Sequence, residues 1–172
     1  GAVVAECKGL VDDMFKTVRG LALGLRPSML DDVGLQAALE WHVRDFTGRY
    51  AMNVDLKADG DFDALPDKHR TCVYRVVQEA LTNCARHARA QNVKISVHAV
   101  DGHLQVSVAD DGVGLNPIPR RHGLGLRGID ERVKELGGTM TISPETGGGT
   151  TVAIQLPLPA GLTEVPRARI AG

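Results

Sequence analysis

Arg75, Glu79, Asn83 and Arg86 recur at intervals of three and four residues. On an α-helix turning 100° per residue they line up along one edge. A carboxylate, a carboxamide and guanidinium groups in one row are what a magnesium–nucleotide site could use. The same row also fits a solvated rim carrying an Arg75–Glu79 ion pair, and by itself it does not separate the two. The element that must position these groups is a helix over residues 65–89. Val73, Val76, Val77, Ala80, Leu81, Cys84, Ala85 and Ala88 form its apolar stripe, and Gln78, Thr82 and Arg89 form a solvated flank. Pro66 suits its first turn, where a missing N–H costs nothing.

The bounds on the rest are ordinary. With 172 residues, the chain can bury one good core and a short appendage. A formal charge of −1 and a pI near 6.6 leave no basic excess to neutralise nucleic-acid phosphates, so no nucleic-acid partner is expected. No apolar run reaches the roughly 18 residues that span a bilayer, and the first residues resemble neither a signal nor a transit peptide. Cys7, Cys72 and Cys84 form no CxxC and no zinc spacing; all three fall on apolar helical positions and read as buried thiols.

Val4, Val11, Val18 and Leu25 repeat every seven residues, interleaved with Cys7, Met14 and Leu21. This a/d seam predicts a helix that packs in a bundle or coiled coil, ended by Pro27. Leu30-Asp31-Asp32 supplies a carboxylate start signal for a second helix whose buried stripe is Leu35, Ala38, Leu39, Val43 and Phe46. His42 lies among them as a core or boundary residue. Val54 and Leu56 alternate with polar residues in a strand. After the long helix, Val93, Ile95, Val97 and Ala99 face one way and Lys94, Ser96 and His98 the other. Asp101-Gly102 then turns the chain into Leu104, Val106 and Val108, completing a hairpin. Residues 110–122 read as a loop, 124–136 as a helix stopped by Gly137-Gly138, and Met140, Ile142, Val152, Ile154 and Leu156 as two closing strands around a turn at 147–149. From Pro157 the pattern dissolves into a tail rich in Pro, Ala and Gly. One apolar sheet face implies helices on that face alone.

Gly123-Leu124-Gly125-Leu126-Arg127-Gly128 matches G-x-G-x-x-G, with Glu145 about 20 residues beyond, so a dinucleotide-binding fold has to be weighed. It fails on context: a loop precedes the motif instead of a buried strand, and the hairpin is antiparallel where that fold needs parallel strands. What survives is physical: small residues at a helix N-terminus let backbone N–H groups approach phosphate, and Arg120, Arg121 and Arg127 add positive charge. Asp110-Asp111-Gly112-Val113-Gly114 is either a tight turn or a carboxylate at the floor of a pocket, accepting a hydrogen bond from an exocyclic amine such as that of adenine.

In order and spacing, Glu79 with Asn83-Cys84-Ala85-Arg86-His87-Ala88, then Asp110-x-Gly-x-Gly, Gly123-x-Gly-Leu and Gly149-Thr150 resemble the four nucleotide-binding boxes of the GHKL ATPases. Gly24-Leu25-Arg26-Pro27-Ser28-Met29-Leu30-Asp31-Asp32-Val33-Gly34-Leu35 is similar to the junction segment of the sensor histidine kinases of the NarL/DegS/DesK type. The resemblance implies an α/β two-layer sandwich, a mixed and mostly antiparallel sheet with helices on one face. It implies a division into a partial dimerisation helix (1–27), an ATP-binding catalytic domain (28–157) and a flexible tail (158–172). By the same resemblance Glu79 would be the base or polarising carboxylate, Asn83 would ligate Mg²⁺, Arg86 would meet phosphate and His87 would flank the nucleotide. Asp110 would recognise the adenine amine above a floor shaped by Gly112 and Gly114, with Thr150 supporting it. Gly123 and Gly125 would bind phosphate through backbone N–H groups, with Leu124 and Leu126 in the same turn of the site. Residues 113–122 would be a short lid.

The implied reaction is transfer of the ATP γ-phosphoryl group to a histidine, then to an aspartate of a response-regulator receiver domain. The implied setting is a bacterial, cytoplasmic region of a protein that dimerises through its N-terminal helix and is compatible with a membrane anchor elsewhere. No histidine precedes His42, and none of the six (His42, His69, His87, His98, His103, His122) is followed by an acidic residue. The chain is therefore expected to lack its phosphoacceptor, to bind ATP, and not to phosphorylate itself. Two other readings compete: a GHKL-fold serine kinase of anti-sigma-factor type (or a topoisomerase or chaperone ATPase module), and a non-catalytic nucleotide-binding scaffold. The heptad seam and the Leu25-Arg26-Pro27 junction argue against the first, and the intact boxes argue against the second.

Overall fold

The computed structural model describes residues 29–60, 62–114, 124–145 and 148–159. The expected seam helix with Cys7, the junction up to Ser28, the lid from residue 115 with Arg120 and Arg121, Gly123, Gly147 and the tail from residue 160 lie outside the described residues. The elements run α1 (Met29–Asp32), α2 (Gly34–Arg49), β1 (Asn53–Asp59), a 3₁₀ turn (Phe62–Ala64), α3 (Asp67–Asn83), a π turn (Cys84–Ala88), β2 (Asn92–Val100), β3 (His103–Asp110), α4 (Leu124–Glu135), β4 (Thr139–Pro144) and β5 (Thr150–Pro157).

The five strands form one mixed sheet in the order β1-β2-β3-β5-β4. β1 and β2 are parallel, joined by the long crossover through α3, and every other pairing is antiparallel. The β2–β3 hairpin closes through Asp101 and Gly102, both at positive φ (50° and 71°), as a two-residue turn matched to strand twist requires. Side chains alternate as expected. Val93, Ile95 and Val97 of β2 share a face with Leu104, Val106 and Val108 of β3, and Val152, Ile154 and Leu156 of β5 continue the layer, all of them buried. Leu35, Leu39 and Phe46 of α2, Val73, Val76, Val77 and Leu81 of α3, and Ile129 and Val133 of α4 join the same core. The sheet is thus covered by helices on its apolar face, a two-layer α/β sandwich.

Three local details depart from the sequence reading. Asp31 and Asp32 do not open α2. They end the one-turn α1, and α2 starts after Val33, whose side chain makes no cap bond. The capping carboxylate comes instead from Asp63, which accepts the Leu35 N–H at 3.3 Å from 28 residues away. The long helix is regular only to Asn83; residues 84–88 widen into a π turn, and Arg89 follows in the left-handed region at φ 52°. Finally, the edge carrying Arg75 and Glu79 is not a solvated rim: the two residues are 7% and 5% exposed, and Arg75 Nη1 donates to Gln78 Oε1.

The C-terminal end of α4 behaves as its sequence predicts. Gly138 N–H donates to Val133 O and Gly137 N–H to Lys134 O, each at 2.9 Å, the paired bonds of a glycine C-cap. His42 is half-buried against the Tyr74 ring at 5.6 Å, and burial lowers its pKa. Cys72 and Cys84 are buried free thiols, with burial pushing the Cys72 pKa up to about 11.

Candidate functional site

Sheet, α3 and the loops meet at the C-terminal end of β3. Along β3 the buried residues are Leu104, Val106, Val108 and then Asp110, in phase at every second position. Asp110 therefore points to the helix-covered face at the point where the apolar layer ends, and is 8% exposed. A carboxylate in that position must be hydrogen-bonded. Its Oδ1 accepts the Gly112 N–H at 2.9 Å, and its Oδ2 faces the Cys84 thiol at 3.7 Å. Thr150 is its register partner across β5, so both side chains sit on one face.

The loop after β3 is locked to the π turn. Val113 N–H donates to Ala88 O at 2.8 Å, and a Cβ on Gly112 would fall on that same carbonyl oxygen. On the other side, a Cβ on Gly149 would fall on the Asp110 carbonyl oxygen, and one on Gly114 would press against Gly149 O at 3.1 Å. The glycines keep both loops at backbone contact around Asp110. Glu79, one turn before Asn83, reaches α4: a Cβ on Gly125 would collide with the Glu79 carboxylate. Asn83 Nδ2 is buried with no hydrogen-bond partner among the described residues. That unmet polar group marks the wall of the cleft as built for something further.

Glu79, Asn83, Asp110, Gly112, Gly114, Gly125 and Thr150 thus converge. Leu126 is half-buried in the first turn of α4, whose opening residue is Leu124. Arg86 and His87 lie in the π turn and are exposed at the rim. Arg127, expected to add charge near phosphate, is exposed and pairs with Glu131 one turn on, Nε to Oε1 at 3.1 Å. The Glu145 carboxylate accepts the Thr151 hydroxyl beside the β4–β5 turn. The mixed sheet removes the dinucleotide reading altogether.

One participant was missed by sequence reasoning. Asp111 accepts Gln91 N–H (2.8 Å), Asn92 N–H (2.9 Å) and Asn92 Nδ2 (2.7 Å), tying the glycine loop to the start of β2. A second carboxylate in Asp-Asp-Gly was the available signal, since successive side chains at a strand's end point to opposite faces and only one of the two can line the pocket. The Asn92 N–H above all, then its side-chain amide and the Gln91 N–H, hold the Asp111 carboxyl below the usual carboxylate value. A lowered folded-state pKa gives stability that is present above the unfolded carboxylate value and lost as pH falls through the folded one. Asp111→Asn is therefore expected to flatten the acid side of the stability profile below about pH 4. Urea melts at successive pH values check this, and an unchanged acid limb would contradict the clamp.

The site suits a nucleotide with a hard cation. Asp110 offers an acceptor to an amine at the apolar end of the cleft. Among the described residues no group of three or more His, Cys, Asp and Glu could hold a metal ion. Magnesium bound to phosphates asks for only one or two protein oxygens, and the Asn83 carboxamide can supply one.

Comparisons agree with this geometry. A family model described as histidine kinase-, DNA gyrase B-, and HSP90-like ATPase matches residues 69–160. The oxygen sensor histidine kinase NreB of Staphylococcus carnosus is 34% identical over 153 residues, 88% of this chain and 44% of that protein. The chain thus spans less than half the length of that relative. The histidine kinase domain of the blue-light activated histidine kinase from Erythrobacter litoralis EL346 is 30% identical, covers 72% of this chain and 61% of its own, and superposes with a TM-score of 0.61. The ATP binding domain of PrrB from Mycobacterium tuberculosis, 23% identical over 72% of this chain and 93% of its own, shares the fold with a TM-score of 0.55. The family match takes in α3, the π turn, the glycine loop, α4 and β5, the elements that build the cleft. The chain belongs to the histidine kinase-, DNA gyrase B-, and HSP90-like ATPase family, as a catalytic region of the sensor histidine kinase type.

Proposed function

We propose that the cleft between α3, the Asp110 loop and α4 binds ATP with Mg²⁺ and presents its γ-phosphoryl group to a histidine ring nitrogen, for relay to an aspartate of a response-regulator receiver domain. The observation that carries this is the buried Asp110 carboxylate, in register with Thr150 and fenced by two glycine loops that admit no side chain. A floor of that kind selects a flat base bearing an amine. When bound, Mg²⁺ would supply positive charge to neutralise the phosphates. Asn83 would hold that ion through its carboxamide oxygen. Glu79, packed against the first turn of α4, would orient or polarise the incoming nucleophile. Backbone N–H groups at the start of α4, around Gly123 and Gly125, would receive phosphate, and Arg86 would meet it from the rim. Phosphoryl transfer asks for positioning and charge neutralisation more than covalent help, and these groups supply both.

A homodimer through the N-terminal helix, a cytoplasmic location and the receiver-domain partner belong to this proposal. Among the described residues no helix is long and apolar enough to cross a membrane.

Isothermal titration calorimetry with Mg-ATP tests the reading directly: no binding at millimolar nucleotide sinks it. In the same titration Asn83→Ala is expected to bind ATP equally with and without Mg²⁺, because the side chain that would hold the ion is removed. Retention of the parent's Mg²⁺ dependence would reassign the ligand.

A further inference from the structure

The structure assigns to Cys84 the role of a positioning residue for base selection: its thiol holds the Asp110 carboxylate in the orientation that reads the nucleotide amine. The inference rests on the proposed ATP site and adds a residue to it. Cys84 opens the π turn and is 4% exposed, with its side chain turned under the end of β3. Its sulfur lies 3.7 Å from Asp110 Oδ2, inside the reach of a sulfur hydrogen bond. The opposite oxygen, Oδ1, accepts Gly112 N–H at 2.9 Å. One donor on each oxygen fixes the rotation of the carboxyl plane about its Cβ–Cγ bond, which no single donor could do.

Direction and protonation are both settled at this contact. An ionised carboxylate only accepts, so the S–H donates. Burial first, and then the Asp110 charge, push the thiol pKa up to about 12, so it keeps its proton throughout the physiological range. A thiol is a weak donor. It orients the carboxylate while leaving most of its acceptor strength for the ligand, whereas a guanidinium or ammonium in the same place would consume it.

The test compares binding of ATP with that of inosine triphosphate, which carries a carbonyl where adenine carries its amine, in the parent chain, Asp110→Ala, Cys84→Ala and Cys84→Ser. Cys84→Ala is expected to weaken ATP about five-fold, the usual net value of one hydrogen bond, with little effect on the inosine nucleotide. Cys84→Ser, which restores a donor, should recover most of the preference. A role confined to packing would weaken both nucleotides together and give no rescue by serine, and that result overturns the inference. Full ATP preference in Cys84→Ala, alongside its loss in Asp110→Ala, likewise overturns it while leaving the ATP site standing. Absence of any preference in the parent overturns both.

Discussion

Asp110→Ala is expected to bind ATP and inosine triphosphate with the same affinity. The parent carboxylate is buried, so the alternative to accepting the adenine amine is a desolvated charge facing a base that cannot donate to it. Removing it deletes a charge-assisted hydrogen bond, ordinarily worth about 1.5–3 kcal/mol, which corresponds to roughly 10- to 150-fold in ATP affinity. The residue also holds Gly112 N–H and the Cys84 thiol, which alanine would leave without that acceptor. Some loss of stability should accompany the loss of binding. Asp110→Asn separates the two effects: its amide oxygen can still accept from the loop, yet an amide offered to the adenine amine forfeits the charge. The asparagine variant should therefore melt near the parent and still lose most of the preference. Calorimetric titration with both nucleotides, together with a thermal melt, decides the matter. Parent-like preference in Asp110→Ala would remove Asp110 from the site.

Gly149→Ala should be strongly destructive. Gly149 sits at φ 100°, where an L side chain is strained, and its Cβ would overlap the Asp110 carbonyl oxygen, which belongs to the backbone and cannot swing aside. Strain of about 1–3 kcal/mol and overpacking of similar size should together cost about 2–6 kcal/mol. They also push β5 and the Asp110 loop apart, so ATP binding should fail even in the fraction that folds. Gly128→Ala is the contrasting control. Gly128 is the third glycine of the G-x-G-x-x-G stretch, and in a dinucleotide fold it would sit in tight helix–strand packing. Here it lies within α4 with nothing within 4 Å of its Cβ position. Alanine there should stabilise the protein by about 0.5–1 kcal/mol. Urea denaturation of both variants checks the pair, and a destabilised Gly128→Ala would mean that α4 packs by its glycine face.

These two glycines show how far the sequence could be read. Each lies in a recognisable motif, but motif membership does not distinguish a glycine that needs room from one that does not. The alternation Leu104, Val106, Val108 was readable, because a strand's side chains repeat every two residues, but residues from Asp110 onward read as loop, and the structure puts Asp110 in the strand and in phase with the core. The same period carried one step further gives the buried carboxylate at the strand's end. The row Glu79, Asn83 and Arg86 was readable in the same way up to Asn83. Beyond it the helical period fails, since a π turn rotates every following side chain, and the 100° rule places Arg86 and His87 on an edge that no longer continues.

Local spacing therefore determined the helices and strands, the apolar face of each and the turn at Asp101-Gly102, because all of these depend on residues a few positions apart. Tertiary structure alone decided what covers each face. α4 closes over Glu79, which with Arg75 is buried on an edge that helical periodicity could not distinguish from a solvated rim. Asp63 caps α2 in place of the nearby Asp31 and Asp32. β1 pairs parallel with β2 across the whole of α3. Cys84 reaches Asp110 across 26 residues of sequence. A side-chain period states which way a group points, but the partner it meets is set by packing between segments remote in sequence, and in this cleft that packing turns a helix edge and a strand end into a single site.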